Sequence, residues 1–536
     1  MAERRKLALE LVTVAAFCAF LFFFGLGSFG LTGPDEPRYA QVAREMLERN
    51  DWVTPTLYGE AWLEKPILYY WHARIAFSIF GVHDWSARLP GATFAALLVV
   101  AAYFFMRRFR PGAQLEAALI LASSAAILGF GRGASTDMQI AAPFALGLMA
   151  WYAWLEGGRK LWLAVFYILM GLATLAKGPV APLLAALIVV AYAGVRRELA
   201  IVRRSLWLPG IALFLAVALP WYVAVQLRNP EFFRVFVLEH NLARFSTDLY
   251  RHRQPFWFFL PVLLLGLAPW SALVVAAVAS SVRRWRAAAP SGDSLPMFFL
   301  VWGVVPVLFF SLSQSKLPGY ILPALPAFAL LAAEYVHRRQ QEEGPPGWLL
   351  LAAHAALLGV LTSAALLFPF FVARPHLPVP GWMGAVAGGV GALVFAAVLV
   401  SLRRHGLGIV RFVTLAPVIV ILAYVLRVEA PVLDQALSAR PVAVDLERLG
   451  TGNSAVAVYR AHRNLEYGLA FYRNRAVARY ERDQAPAEDH LVVAPEGKRA
   501  EVEAQSSGRR VSRVGGFASR GLEYFWVSQK SGDAAH

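Results

Sequence analysis

Apolar residues fall in long unbroken blocks along most of this 536-residue chain, separated by short polar interruptions. A helix needs about 20 apolar residues to cross a bilayer. On that period the blocks predict about thirteen spans, at 7–30, 86–106, 114–130, 138–155, 160–177, 179–195, 207–227, 256–282, 296–313, 317–335, 347–372, 381–402 and 410–428. The stretch 66–80 is apolar but short and rich in aromatic residues, so it is expected to lie at the interface, leading into the second span. Beyond residue 428 the pattern changes. Short β-prone segments at 454–459, 490–494 and 523–528 alternate with helical stretches at 433–448, 464–472 and 497–505, as in a small α/β domain. Two domains are therefore expected, 1–428 in the membrane and 429–536 outside it.

Composition agrees with the pattern. Hydrophobic residues make up 58% of the chain and charged residues only 16%, against roughly 25% charged in a soluble chain. The first apolar run exceeds the roughly 7–15 residues of a signal-peptide core, so it reads as a retained span. Cys18 is the single cysteine, which rules out an internal disulfide and a cysteine-based metal site.

The net charge of +16 is distributed in basic pairs at alternate loops, including Arg107-Arg108, Arg196-Arg197, Arg283-Arg284, Arg338-Arg339 and Arg403-Arg404. This is the positive-inside pattern, and it predicts a cytoplasmic N-terminus and an outward C-terminal domain. A nucleic-acid surface would gather those charges on one face with stacking aromatics, so no nucleic-acid partner is expected. A transporter would hide ionisable groups near the bilayer midplane, whereas here few occur inside the blocks: Glu116, Lys177 and His354.

The orientation leaves the unusual chemistry in the outward loops 32–85, 131–137, 228–255 and 313–320. Thr32-Gly33-Pro34-Asp35 resembles a helix start with Thr32 as cap, and it would put Asp35, Arg38, Tyr39 and Val42 on one face. That motif serves equally as a site or as a scaffold in which Asp35 complements the helix dipole. Gly59-Glu60 through Glu64-Lys65-Pro66 sets an ammonium group beside another helix start, which suits a phosphate, although a lysine in that place taken alone is more often an anchor to lipid headgroups. His240, in Glu239-His240-Asn241, is a candidate metal ligand together with Glu64, and Arg244 offers a planar fork for a phosphate. Lys316 and Tyr320 bring two phosphate-compatible donors to the last of these loops. Asp137 sits where a helix cap is expected, and capping is its plainest role.

As a set, Asp35-Glu36-x-Arg38-Tyr39-Ala40, Gly59-Glu60-x-x-x-Glu64-Lys65-Pro66-Ile67-Leu68, Ala87-Arg88-Leu89-Pro90, Thr136-Asp137, Glu239-His240 with Arg244-Phe245, and Ser315-Lys316-Leu317-Pro318-x-Tyr320 resemble the family 83 glycosyltransferases. The resemblance covers nearly the whole chain and implies an α-helical C-type glycosyltransferase fold in a bacterial inner membrane, with a small periplasmic α/β domain. It implies an inverting enzyme that takes a sugar, expected to be 4-amino-4-deoxy-L-arabinose, from an undecaprenyl phosphate donor to lipid A or another outer-leaflet acceptor. The related alternative is transfer from the same donor class to a protein or another glycan.

Carried onto this sequence, Asp35 faces the reacting centre, with Arg38 and Asp137 lining the cavity. Lys65, Arg244 and Tyr320, with Lys316 nearby, hold the donor phosphate; Tyr39, Trp62 and Glu36 line the substrate cavity; and Glu64 with His240 form a candidate site for a divalent metal ion. Trp62 stands where relatives of that sugar specificity tend to carry Tyr, so the sugar pocket is expected to differ there.

Overall fold

The computed structural model describes residues 2–236, 239, 254–287, 293–342, 346–373, 377–451, 454–483, 485–506 and 508–529. The first span is shorter than its apolar run predicts. It covers Glu3–Phe23, ends in a π-helical turn at Ala19–Phe23, and then leaves the helix although the residues remain apolar. The Arg132 side chain explains where it stops. It donates to the carbonyls of Leu21, Phe24 and Gly25, groups left without helical partners at a C-terminus.

Among the described residues nine helices are long and apolar enough to cross a membrane, or eleven if each of two bent pairs is one span. The chain is a multi-pass membrane protein. One of the nine, Gly381–Leu437, contains two helices joined by a tight turn at Gly406–Ile409. Val180–Arg196, with 17 residues, falls just short in length. Both explain why thirteen apolar blocks become fewer uninterrupted helices.

The bent pairs have visible causes. Gln114–Ser123 and Ala125–Gly131 meet at 64° around Ser123-Ser124, whose hydroxyls donate back to the carbonyls of Leu119 and Ile120. Phe256–Gly266 and Ser271–Ala287 meet at 116° around Pro269, which has no N–H to continue a helix. Of the ionisable residues inside the apolar blocks, Glu116 is paired with Arg411 at 2.7 Å, and the buried His354 ring shares a 2.8 Å hydrogen bond with Thr414. These are paired structural groups rather than a chain of sites across the membrane.

The C-terminal region forms a five-stranded mixed sheet in the order β4-β3-β5-β7-β6. With a two-stranded hairpin, β1 (Thr56–Leu57) and β2 (Glu60–Ala61), preceding them, its strands are β3 (Ala455–Val458), β4 (Val477–Arg479), β5 (His490–Pro495), β6 (Arg510–Phe517) and β7 (Leu522–Ser528). β4, β3 and β5 run parallel, β7 pairs antiparallel with β5, and β6 pairs antiparallel with β7. β3, β5 and β7 fall where the sequence pattern put strands. β4 and β6 carry no such signal, because β4 spans three residues and β6 is an arginine-rich edge strand with a bulge between Arg513 and Gly515.

Candidate active site

The 24–66 segment is folded around a few buried carboxylates. Its helix, Asp35–Glu48, starts later than a Thr32 cap would place it, with Pro34 at the cap position. Instead the Thr32 N–H and hydroxyl both donate to Glu36, at 2.8 and 3.1 Å. Glu36 also accepts from Arg88 Nε and Nη2, at 3.0 and 2.7 Å, and from the Ala134 N–H at 2.8 Å. Arg88, 2% exposed, spends its remaining donors on the carbonyls of Leu26, Phe29 and Gly30. Burial alone would raise the Glu36 carboxyl; the Arg88 charge and these bonds outweigh it and hold it below its ordinary value of 4.5. Glu36, expected to line the substrate cavity, is therefore a brace whose two oxygens are taken by protein donors.

A second carboxylate shapes the hairpin. Glu45 accepts from the Thr56 hydroxyl at 2.8 Å and from the N–H groups of Tyr58 and Gly59 at 2.8 and 3.1 Å. Both turn residues have positive φ, 59° and 82°, as a two-residue hairpin turn of this hand requires. The hairpin delivers Trp62 and Glu64-Lys65 to the helix Leu68–Phe80.

Asp35 differs from its neighbour Glu36. Its side chain is 58% exposed, and among the described residues its partner is Arg38, whose Nη2 donates to it at 2.6 Å. Arg38 lies among the rings of Tyr39, Trp62 and Tyr467, at 5.2, 5.0 and 5.5 Å, and Glu64 acts on its charge through space. Among the described residues, the buried Arg38 Nε, Trp62 Nε1 and Tyr70 Oη have no protein partner. Burial and the nearby charges of Asp35 and Asp137 push the Tyr39 phenol well above its ordinary value, so it stays protonated. That coupling puts Asp35, Tyr39 and Asp137 in one neighbourhood.

Asp137 is not a helix cap. It opens the helix Asp137–Gly157 and accepts from Lys177 Nζ at 2.6 Å. Lys177 also lies over the Tyr320 ring, 5.6 Å from its centre, and a Cβ on Gly319 would stand 2.7 Å from Asp137 Oδ1. Asp137, Lys177 and Tyr320 thus form one group.

Lys316 is a correction. Expected at the donor phosphate, it is 6% exposed and donates to the carbonyls of Ser313 and Gln254 at 2.6 and 3.1 Å, which ties down the turn. Lys65 is half-buried in the link after the hairpin. His240 and Arg244 lie outside the described residues. Among the described residues no three His, Cys, Asp or Glu side chains are grouped as a metal would need.

Beside Asp137 and Tyr320 an apolar groove of about 500 Å3 opens between Ala125, Phe130, Val262, Leu265, Pro318 and Leu325. Phe130 lies against Gly319, next to Asp137. A charged cluster with an apolar groove at its edge suits a molecule with an anionic head and a hydrocarbon tail.

Sequence reasoning gave Tyr70 and Tyr467 no role, took Lys177 only as an ionisable group within an apolar block, and quoted Arg88 only as part of a family motif. The available signal for Lys177 was its position at the outward end of a predicted span, followed directly by Gly178-Pro179. Arg88 carried one too, as an arginine at the start of an apolar block.

The profile of the family "Dolichyl-phosphate-mannose-protein mannosyltransferase" matches residues 64–223. Relatives named undecaprenyl phosphate-alpha-4-amino-4-deoxy-L-arabinose arabinosyl transferase include one from Pseudomonas aeruginosa, 35% identical over 63% of this chain and 61% of that protein. Another, from Yersinia enterocolitica, is 31% identical over 75% of this chain and 71% of that protein. The match thus spans about 61% of the length of the Pseudomonas relative. The fold is that of ArnT from Cupriavidus metallidurans, crystallised bound to undecaprenyl phosphate, with a TM-score of 0.76 and 22% identity over 97% of this chain and 98% of that one. The chain belongs to the family 83 glycosyltransferases of the undecaprenyl phosphate-aminoarabinose arabinosyl transferase type.

Proposed function

We propose that this protein is an inverting glycosyltransferase that moves 4-amino-4-deoxy-L-arabinose from undecaprenyl phosphate to a phosphate of lipid A, on the periplasmic face of a bacterial inner membrane. The observation that carries the reading is the exposed Asp35, held by Arg38 at 2.6 Å in the neighbourhood of the Asp137–Lys177–Tyr320 group, with the apolar groove at its edge. The names of the relatives support the donor and the sugar. The basic helix ends, such as Arg283-Arg284 and Arg338-Arg339, support a cytoplasmic N-terminus and a periplasmic site and C-terminal domain.

In this reading the polyprenyl tail lies along the groove and its phosphate beside Tyr320, Lys65 and Lys177. An oxygen of the acceptor phosphate attacks the anomeric carbon from the face opposite the donor phosphate. As that bond forms, the sugar–phosphate C–O bond breaks, the configuration inverts, and undecaprenyl phosphate departs with the electron pair. Charge accumulates on the departing phosphate, where fixed cations lower the barrier. The acceptor phosphate is already an anion, so Asp35 orients groups rather than removing a proton. Tyr39, held protonated, and the Arg38 Nε and Trp62 Nε1 donors, unpartnered among the described residues, are the groups offered to the sugar.

The test is lipid A mass spectrometry in Gram-negative cells lacking their own aminoarabinose transferase, supplied with this chain or its Lys177→Ala variant. A pentosamine-sized addition with the unaltered chain alone is expected. Unchanged lipid A, with the protein present in the membrane, overturns the acceptor and moves the reading to transfer from the same donor class onto a protein or another glycan.

A further inference from the structure

The helix Arg463–Arg473 of the C-terminal domain packs on two cores at once. Leu465, Leu469 and Ala470 are buried in the core of that domain. Phe471 belongs to the core of the membrane-spanning part, with Tyr467 and Tyr472 packed against it. Its outer face runs along the helix that carries Asp35. The Tyr467 ring stands 5.5 Å from the Arg38 guanidinium. The Phe471 carbonyl accepts from Arg44 at 2.6 Å, and the Phe471 ring lies 4.6 Å from the same guanidinium. Asn474, just past the helix end, donates to Glu48 at 2.9 Å. Arg38, Arg44 and Glu48 span almost the full length of Asp35–Glu48, so the second helix is a splint on the first.

The same helix grips the strand leading into the motif. The Tyr472 hydroxyl accepts from the Leu31 N–H at 2.7 Å and donates to Asp84 at 2.6 Å. Arg440 joins Asp84, at 2.8 Å, to Asp434, at 2.7 Å, and Asp434 accepts from the Gly30 N–H at 2.7 Å. Leu31 is thus held four residues before Asp35 from the C-terminal domain side, while Glu36 is held from the membrane side by Arg88. Among the described residues Asp35 is bonded to the scaffold only through Arg38, and one wall of the Arg38 cage is Tyr467.

We propose that Tyr467 and Tyr472 are positioning residues for sugar transfer, and that the C-terminal domain serves to fix Asp35 and Arg38 rather than to bind substrate. This rests on the transfer reaction proposed above. Tyr467 acts through Arg38, where a ring face holds the guanidinium against Asp35. Tyr472 acts through the Leu31 backbone. Misplacing a reacting group by about 1 Å costs on the order of 100-fold in rate, so a mobile Asp35–Arg38 pair would lower turnover without weakening the lipid's hold on the groove.

The test uses the full-length protein in nanodiscs with undecaprenyl phosphate-aminoarabinose and lipid A. Tyr467→Ala is expected to lower kcat about 10- to 100-fold with KM for the lipid donor within about two-fold. Tyr467→Phe, which keeps the ring, is expected to restore kcat. Tyr472→Phe removes only the hydroxyl and is expected to lower kcat and to speed hydrogen exchange in residues 29–48. A kcat unchanged in Tyr467→Ala, an equal loss in Tyr467→Ala and Tyr467→Phe, or a loss confined to KM overturns the proposal. If Tyr467→Ala fails to accumulate, Tyr472→Phe decides by the same kcat and exchange readings. Hydrogen exchange needs no turnover: faster exchange in Tyr472→Phe with an unaltered chain that transfers no sugar leaves the splint standing and removes the reaction assigned above.

Discussion

The helices Asp137–Gly157 and Pro318–Gln341 are both 89% buried along their apolar stretch, whereas Trp348–Val372 and Gly381–Leu437 are 17% and 28% buried. The first pair brings Asp137 and Tyr320 together around Lys177. The second pair brings no residue of the site, and it presents Leu349, Val360 and Leu393, all more than 60% exposed, to its surroundings. The difference shows where this protein invests its rigidity. Groups that must be held to a fraction of an ångström stand on helices packed on all sides, where side chains interdigitate at crystal-like density. Helices with lipid on one side need only stay apolar, because a bilayer is as apolar as the leucine it meets.

The sharpest way to break this contrast is Arg88→Ala. It strips the buried partner from Glu36 and leaves the carbonyls of Leu26, Phe29 and Gly30 without their donor. A loss of about 3–5 kcal/mol is expected, as for breaking a buried ion pair, measured as a drop in the thermal midpoint in detergent together with loss of transfer. Lys177→Ala is next. It is expected to lower transfer on the order of 100-fold, roughly 2.7 kcal/mol of barrier, while the thermal midpoint moves little; an equally large fall in the midpoint would mean that the Asp137 pair is a fold element instead.

Gly319→Ala puts a methyl group 2.7 Å from Asp137 Oδ1 and should cost about 10-fold in kcat by displacing that carboxylate. The effect would be read from the same transfer assay. Acid sharpens the comparison from another side. Glu36 is held below its ordinary value of 4.5, so its stabilisation is complete above pH 4.5 and is lost as pH falls from there through its folded value. The segment around Glu36 should therefore loosen below about pH 4.5, seen as faster hydrogen exchange in residues 24–48, while exchange in 348–372 stays the same. Smallest of all, Leu393→Ala on the exposed face should change stability by less than about 0.5 kcal/mol.

Much of this was legible in the chain. A continuous apolar block has few options beyond a spanning helix, so the architecture followed from pattern, as did strands β3, β5 and β7. Breaks within a block were not legible, because Ser123-Ser124 and Pro269 are also tolerated inside straight membrane helices. Of the residues the sequence singled out, the fold gathers Asp35, Tyr39 and Trp62 around Arg38, and Asp137 and Tyr320 around Lys177. The errors fell on residues whose role depends on what faces them. Glu36 and Asp35 are adjacent and chemically alike, yet Arg88, 52 positions away, makes one a brace, and its absence leaves the other exposed. Lys316 looked like a phosphate ligand until two backbone carbonyls claimed it.

What the sequence determined by itself is what a bilayer and a turn impose locally: apolar length, the alternation of basic loops, a helix start near Asp35 and the segregation of polar chemistry to one face. Only the tertiary structure decided which carboxylate is buried, which ammonium reaches Asp137, and that a helix more than 400 residues away stands against Arg38. The reason is physical. Backbone preference and hydrophobicity act over a few residues, whereas the state of a charged group is set by burial and by the partners within about 4–6 Å of it, and the fold alone selects those.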